Sequence, residues 1–342
     1  MPPLSRLAAC TPYLLPLRDP FRGLTRREGV LLRGPAGWGE FAPFRDYTAR
    51  SDAFWAAAAV EAMTGFVPQP LRNAVATAAV LPETDPVRLR ELVREAVVGH
   101  GCRTVKLKVA GSDAAADIAA VRTVREALEA SLGAGAGAGR IRIDANGRWT
   151  RAEALAVLPQ LADFGLDYVE QPCAAAADVA AVRAADIGVP VAVDETLRRD
   201  RVFGGLARVA DIAVLKVAPL GGGRATVALA AQLDVPVVIS SALESAVGLS
   251  RDARVAGAVS DLDLDCGLGT GLLLAADVVA PVLAPQGGAV STALRAPDPE
   301  ALAAVRHPDP GGWLERLDRA GELAVAHGLI PPEQIAVLED VA

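Results

Sequence analysis

The sequence predicts an α/β fold in which a parallel sheet is preceded by a smaller α+β unit. Short apolar runs alternate with Ala-rich helical stretches along most of the 342-residue chain. Five of the apolar runs carry a charged residue at their end. Residues 1–72 lack this alternation. These three observations favour a parallel sheet of βαβ steps with an additional N-terminal unit.

The N-terminal unit is predicted over residues 1–72. Gly29–Arg33 and Trp38–Phe44 have the composition of two strands, and the Gly-Pro-Ala-Gly sequence between them is typical of a tight turn. Ser51–Thr64 is predicted to be an amphipathic helix with Ser51 as its N-cap. Residues 286–342 are Pro-rich and then helical, and we expect them to complete this capping domain.

Residues 73–285 are predicted to form the parallel sheet. The strand candidates are rich in Val, Ile, Leu and Ala and are Ala74–Leu81, Thr104–Val109, Arg142–Asn146, Tyr168–Pro172, Val191–Glu195, Val214–Val217, Val235–Ser241 and Asp261–Asp265. The helical stretches between them include Ala114–Leu132, Arg151–Phe164, Ala174–Ile187 and Gly222–Leu233. Alternation of this kind gives parallel strands, which close into a barrel in many enzymes.

Charged side chains at the ends of buried strands are costly unless they are paired or bound to metal. Here they recur roughly every 22–36 residues, close to the length of a βαβ step. If the sheet closes, all these strand ends meet at one mouth of the barrel, where barrel enzymes carry out their chemistry. The charged residues, in chain order, are Lys106, Lys108, Asp144, Glu170, Asp194 and Lys216.

The three carboxylates predict a site for a hard cation. Asp144, Glu170 and Asp194 offer oxygen ligands, which favours Mg²⁺ over zinc, with Mn²⁺ as an alternative. A cation there would stabilise negative charge when a proton is removed beside a substrate carboxylate. Lys108 and Lys216 approach from opposite sides, so either could act as the base. We take Lys108, which is nearer the strand end, as the base and Lys106 as its electrostatic partner.

The ordered motifs Lys-x-Lys, Asp-x-Asn, Glu-Gln-Pro, Asp-Glu and Lys on successive strands resemble the enolase superfamily, in its muconate-lactonizing subgroup. The resemblance extends to Trp38–Phe44 and to Ser240–Gly248. It covers nearly the whole chain. It implies a (β/α)7β modified TIM barrel with an α+β capping domain.

The resemblance also implies an activity. The expected reaction is an Mg²⁺-dependent dehydration of 2-succinyl-6-hydroxy-2,4-cyclohexadiene-1-carboxylate to 2-succinylbenzoate, a step of menaquinone biosynthesis. Lys108 would remove the proton and return it to the leaving hydroxyl, and Lys216 would face the ring. Outer groups around the ligands would be Asn146 and Glu195, and substrate contacts would come from Ser240, Ser241 and Gly269.

Gly269 belongs to a Gly-rich stretch, Gly267–Gly271, that follows the last predicted strand. Its backbone N–H groups could hold an anion, or the stretch could be a plain turn.

Three alternatives remain open. Two lysines on opposite faces would also suit racemization of N-succinylamino acids. Dipeptide epimerases of the same superfamily place acids on the eighth strand, where this chain has Asp261, Asp263 and Asp265. A catalytically silent scaffold that keeps the metal site is a remote third alternative.

Composition excludes several other classes of partner. The net charge of −7 and the absence of a basic stripe argue against nucleic acid. No apolar run approaches the ~20 residues of a membrane span, and no signal peptide is recognised. The four cysteines are scattered, so neither a disulfide framework nor a zinc site is expected. The expected location is the reducing cytoplasm. The expected partner is a small carboxylate substrate, and the oligomeric state is left open.

Overall fold

A three-stranded antiparallel sheet and a nine-stranded sheet organise the chain in the computed structural model, which describes residues 2–111, 113–137 and 139–340, apart from the side chain of residue 136. The ends of the predicted capping segments, residues 1 and 341–342, lie outside the described residues. In the described part of the chain, no helix is long and apolar enough to cross a membrane.

The smaller sheet consists of β1 (Ala9–Phe21), β2 (Leu24–Gly34) and β3 (Gly37–Phe41), in that order. The short helix α1 (Leu4–Leu7) precedes it, and α2 (Ala49–Met63) packs against β3.

The predicted N-cap at Ser51 is wrong. The N-cap is Thr48, whose hydroxyl accepts a hydrogen bond from the backbone N–H of Ser51. Both hydroxyl residues suit a helix start, so composition alone did not decide between them.

Eight parallel strands form the barrel: β4 (Ala74–Leu81), β5 (Thr104–Lys108), β6 (Arg140–Asp144), β7 (Leu166–Glu170), β8 (Val191–Val193), β9 (Ile212–Leu215), β10 (Val237–Ile239) and β11 (Cys266–Gly269). The helices between them are α3 (Pro86–Arg94), α4 (Ala114–Leu132), α5 (Arg151–Ala162), α6 (Ala176–Ala184), α7 (Glu195–Arg198), α8 (Val217–Leu220), α9 (Gly223–Ala230) and α10 (Ala246–Ala258). This order confirms the predicted alternation of strands and helices.

The barrel closes between its seventh and eighth strands. Residue Ser240 bridges Gly267 in parallel, and the N–H of Ser241 donates to the carbonyl of Gly267 over 3.0 Å. The prediction of the last strand at Asp261–Asp265 is wrong, because β11 begins only at Cys266. The Gly-rich stretch that was expected after the strand therefore lies largely within it.

The C-terminal segment returns to the smaller sheet. Its strand β12 (Ala289–Ser291) first pairs antiparallel with β4 of the barrel, and the helices α11 (Pro299–Ala304), α12 (Gly311–Ala326) and α13 (Pro332–Glu339) follow. Helix α12 packs on α2, where Arg316 forms an ion pair with Asp52 at 2.6 Å and Trp313 meets Phe41 edge-on. These contacts give the N-terminal unit a hydrophobic core that is continuous with the C-terminal helices.

Glu40 joins the smaller sheet to the barrel. It lies at the end of β3, is fully buried, and accepts hydrogen bonds from the hydroxyl of Tyr13 and from the backbone N–H of Ser245 and Gly248. The hydroxyl of Ser245 donates to it as well. Ser245 and Gly248 belong to the start of α10, so the carboxylate also faces the positive end of a helix.

We expect Glu40→Ala to lower the free energy of unfolding by about 3 kcal/mol or more, because it leaves several buried donors without an acceptor. Tyr13→Phe removes only one of the four donors and should cost about 1 kcal/mol. Urea unfolding of both variants provides the measurement. Equal losses in the two variants would contradict this view of Glu40 as the shared acceptor.

Candidate active site

The carboxyl ends of five adjacent strands bring the predicted charged residues together. In the register of the sheet, Lys108 on β5 lies beside Asp144 on β6, which lies beside Glu170 on β7. Asp194 directly follows β8, and Lys216 directly follows β9. All of these side chains, and that of Lys106, are at most 7% exposed.

Each buried carboxylate has a lysine partner. Lys108 Nζ lies 2.5 Å from Asp144 Oδ2, and Lys216 Nζ lies 2.7 Å from Asp194 Oδ2. Lys106 Nζ lies between two acids, 3.0 Å from Glu170 and 3.6 Å from Asp144. A buried charge without a partner would cost several kcal/mol, so these contacts allow the cluster to remain in the barrel.

The chain contains three lysines, and all of them lie in this cluster. Every other basic side chain, apart from the histidines, is an arginine. Lysine is a compact amine that can lose its proton when it is buried, whereas arginine remains charged. This restricted use of lysine is a sequence signal for the site that our sequence analysis did not use.

The three lysines differ in their electrostatic surroundings. Burial, together with the neighbouring charge of Lys106, lowers the pKa of Lys108 to about 8 against the attraction of Asp144. Burial also acts on Lys106, but Glu170 and Asp144 raise its pKa above the usual value. The net effect at Lys216 is a raised pKa, because the attraction of Asp194 outweighs burial. Lys108 is therefore the lysine that loses its proton most readily.

The carboxylates also differ from one another. Burial and the charge of Asp144 raise the pKa of Glu170 to about 7. At Asp144, burial is outweighed by the two lysines, which hold the pKa well below its usual range. The pKa of Asp194 is lowered too, because Arg198 and Lys216 outweigh its burial. The cluster therefore holds two firmly ionised acids and one that titrates near neutrality.

The donor set suits a hard divalent cation, because Asp144, Glu170 and Asp194 are buried carboxylates from neighbouring strands. In the described part of the chain, however, no three acidic, cysteine or histidine side chains form a group that could hold an ion as they are placed. The lysine ammonium groups stand against the carboxylates instead. A cation would have to share these carboxylates with Lys106 and Lys108, so the metal site stays a prediction.

Asn146 and Gln171 occupy left-handed backbone conformations just past the strand ends, with φ of 48° and 42°. Asn146 accepts a hydrogen bond from Lys108 Nζ over 2.8 Å and so contacts the expected base directly. Gln171, which was not predicted, accepts from the N–H groups of Asp194 and Thr196 and thereby fixes the end of β8. Non-glycine residues in this conformation are strained, and they cluster at functional sites.

Arg198 is a second residue that the sequence analysis missed. Its guanidinium lies 2.9 Å from Asp194 and 2.5 Å from Glu195, one turn earlier on α7. Glu195 also lies 3.4 Å from the amide nitrogen of Asn146. The spacing of four residues between Asp194 and Arg198 was the available signal, since such residues share one face of a helix.

A cavity of about 30 Å³ lies between the lysines and the smaller sheet. Its lining includes Phe21, Arg22 and Phe44 from the N-terminal unit and Ser240 and Ser241 after β10. The hydroxyl of Ser241 is already hydrogen-bonded to that of Thr270. Both predicted serines therefore face the lysines, in a space that must widen to admit a substrate.

Gly269 ends β11 and does not lie in a loop. A Cβ atom on it would meet the carbonyl oxygen of Ala78 on β4 at 2.4 Å, so glycine permits close approach of two strands. This packing role accounts for the glycine without an anion.

The acids that precede β11 lie away from the lysines. Asp265 accepts hydrogen bonds from Thr104 and Arg140, which begin β5 and β6. These residues lie at the opposite end of the strands from Lys108 and Asp144. Asp265 therefore cannot serve as an amine ligand beside the lysine cluster.

Comparison with known proteins now adds to this geometry. Residues 13–63 match the model described as "Enolase N-terminal domain-like", and residues 88–298 match "Enolase C-terminal domain-like". The o-succinylbenzoate synthase of Thermobifida fusca (strain YX) is 43% identical over 90% of this chain and 94% of its own length. That of Mycobacterium leprae (strain TN) is 40% identical over 91% of each chain. The chain belongs to the o-succinylbenzoate synthase family of the enolase superfamily.

Solved structures agree with this family at the level of the fold. The muconate lactonizing enzyme from Pseudomonas fluorescens aligns with a TM-score of 0.74 over 88% of this chain and 98% of its own, at 21% identity. The N-succinyl Arg/Lys racemase from Bacillus cereus aligns with a TM-score of 0.72 over 87% and 96%, at 19% identity. The predicted modified TIM barrel with a capping domain is confirmed. Enzymes of this superfamily depend on a divalent metal.

We expect the chain to bind one divalent cation, and Asp194→Asn to weaken that binding at least about tenfold, because it removes a hard anionic ligand. Titration calorimetry with Mg²⁺ on the wild type and the variant provides the measurement. Asp163→Asn, at an exposed carboxylate after α5, is the matched control and should bind as the wild type does. Equal affinities in all three proteins would exclude Asp194 as a ligand.

Proposed function

We propose that this protein is an Mg²⁺-dependent o-succinylbenzoate synthase, a hydro-lyase that converts 2-succinyl-6-hydroxy-2,4-cyclohexadiene-1-carboxylate to 2-succinylbenzoate. The observation that carries the proposal is the buried Lys108, whose pKa of about 8 makes it available as a base beside three carboxylates. The names of the relatives at 40–43% identity support this choice of substrate.

The proposed reaction removes one water molecule. The neutral amine of Lys108 takes the proton from the ring carbon that bears the carboxylate. The electrons of that C–H bond form the new double bond while the C–O bond to the hydroxyl breaks. The Lys108 ammonium then gives its proton to the leaving hydroxyl, so the lysine returns to its starting state.

Asp144, Glu170 and Asp194 would hold the cation, with Mn²⁺ as the alternative to Mg²⁺. Such a cation supplies positive charge to the substrate carboxylate, which makes the neighbouring proton more acidic. Lys106 on β5 forms ion pairs with Asp144 on β6 and Glu170 on β7 and so helps to position both carboxylates.

Lys216 is proposed to face the ring from the other side. Its pKa is raised by Asp194, so it remains an ammonium group that stabilises negative charge and can lie against a π face. Ser240 and Ser241, which line the same cavity, are proposed to contact the substrate. The product belongs to menaquinone biosynthesis, and a cytoplasmic location accords with the four free cysteines.

Racemization of N-succinylamino acids is the second candidate. The specific observation in its favour is that the site holds two buried lysines, one beside Asp144 and one beside Asp194. A racemase needs a base on each face of the carbon, and Lys216 would have to release its proton for that role.

Incubation of the protein with the cyclohexadiene substrate and Mg²⁺ should give the aromatic product. The change in absorbance measures the rate at which that product forms. Lys108→Ala should lower the rate by at least about 10²–10⁴-fold, because general-base catalysis contributes that much. Arg103→Ala removes an exposed cation just before the other end of the same strand and should leave the rate unchanged. Comparable rates in Lys108→Ala and the wild type would transfer the base role to another lysine.

Lys216→Arg separates the two candidate reactions. Arginine keeps the positive charge but cannot act as a base, since it stays protonated at any pH the protein tolerates. We therefore expect the variant to retain measurable dehydration, lowered by the larger side chain, and to lose any racemization of N-succinylamino acids. Optical rotation and absorbance report the two rates. Surviving racemization with abolished dehydration would reverse the assignment.

A further inference from the structure

Arg22 occupies a backbone position that arginine does not favour. Arg22 and Gly23 form the two-residue turn between β1 and β2, closed by the pair Phe21 and Leu24. Their φ angles are 53° and 75°. Turns with positive φ at both positions strongly prefer Asn, Asp or Gly at the first. Non-glycine residues in this strained conformation cluster at functional sites.

The turn brings Arg22 over the lysine cluster. Its side chain lines the cavity of about 30 Å³ that also contacts Lys106, Lys108 and Lys216. It lines as well an open cleft of about 460 Å³ that leads outward past Lys108, Asn146 and Arg148. The guanidinium carbon lies 4.6 Å from the ring centre of Phe44, which limits its freedom. Arg22 therefore lines both the cavity at the lysines and the open cleft outside it.

Arg22 differs in charge balance from the other cations around the cavity. Each lysine that lines the cavity faces an acid, Lys106 with Glu170, Lys108 with Asp144 and Lys216 with Asp194, and in the outer cleft Arg148 faces Glu83. Within residues 2–111, 113–137 and 139–340, no carboxylate forms an ion pair or hydrogen bond with Arg22. It is a cation beside the lysine cluster that the protein itself does not neutralise.

We propose that Arg22 binds the distal carboxylate of the succinyl arm and so makes the site selective for dicarboxylates. The inference rests on the proposed function, and it applies equally to racemization, because both substrates carry a succinyl group. A carboxylate matches the planar fork of a guanidinium, which can donate two parallel hydrogen bonds. The hydroxyls of Ser240 and Ser241 bond to protein oxygens already, so they compete weakly for this charge.

The test compares the binding of two ligands that differ only in the charge at the end of the succinyl arm. The product 2-succinylbenzoate carries the distal carboxylate, and its distal monoamide has the same shape without the charge. Dissociation constants by calorimetry, at a saturating Mg²⁺ concentration, do not depend on turnover. The wild type should bind the diacid about 10- to 100-fold more tightly than the monoamide, as expected for a hydrogen bond to a charged group.

Arg22→Gly should abolish that preference and leave monoamide binding within about threefold. Glycine suits the turn better than arginine, so this variant should unfold at the same or a higher urea concentration, which separates binding from folding. Arg22→Lys keeps a charge without the fork and should restore part of the preference. Arg26→Gln, at an exposed arginine on the adjoining strand, is the matched control and should keep all of it.

The possible failures are distinguishable. If the wild type prefers the diacid and Arg22→Gly keeps that preference, another group binds the distal carboxylate and the inference about Arg22 is wrong. If the wild type turns over the substrate but binds diacid and monoamide equally, the inference is wrong and the proposed function stands. If the wild type neither binds the diacid nor turns over the cyclohexadiene, the proposed function fails and the inference fails with it.

Discussion

The rest of the site depends on one electrostatic constraint, the burial of three carboxylates at adjacent strand ends. Asp144, Glu170 and Asp194 have almost no exposed surface, so their charges need partners within the protein. Lysines are supplied at these positions and nowhere else in the chain. Glu170 and Asp144 raise the pKa of Lys106 and so keep it positively charged. That charge repels a proton on Lys108 and helps to lower the pKa of Lys108. The lowered pKa of Lys108 and the burial of the expected ligands thus depend on the same arrangement.

The smaller sheet matters to the chemistry because it covers part of this arrangement with aromatic side chains. The ring centre of Phe21 lies 5.5 Å from Lys108 Nζ. Phe44, in the loop after β3, lines the cavity at the lysines together with Phe21. Arg27 holds that loop to the barrel, since its guanidinium donates to the carbonyls of Ala42 and Leu243. A less polar surrounding strengthens every charge interaction inside it. The capping unit therefore contributes to the burial that lowers the pKa of Lys108.

Much of this could be predicted from the sequence, because buried strands carry period and composition. Helix α4 was predicted with its observed bounds, and β4 was too. Strand β1 was not predicted, although it is 13 residues long. It contains Pro12, Pro16 and Pro20, which normally argue against a strand. It tolerates them because it lies at the edge of the sheet, and edge position is a tertiary property.

The same distinction applies to the site. The ligand and base positions follow strand order, which the sequence shows directly. Arg198 had a sequence signal in its spacing from Asp194, and Gln171 lies in the Glu-Gln-Pro motif. Their contacts, and the position of Arg22, depend on backbone conformations with positive φ or on a helix turn, which composition does not predict.

The barrel stabilises residues whose backbone conformation is strained. Asn146, Gln171 and Leu243 each follow a barrel strand and each have positive φ, and a residue held this way costs of order 1 kcal/mol or more. Strands β6 and β7 are paired on both sides, and β10 pairs with β9 and is followed by the bridge from Ser240 to Gly267, which fixes where the chain must turn. The barrel thus holds the side chains of Asn146 and Gln171 in positions that an unconstrained loop would not maintain.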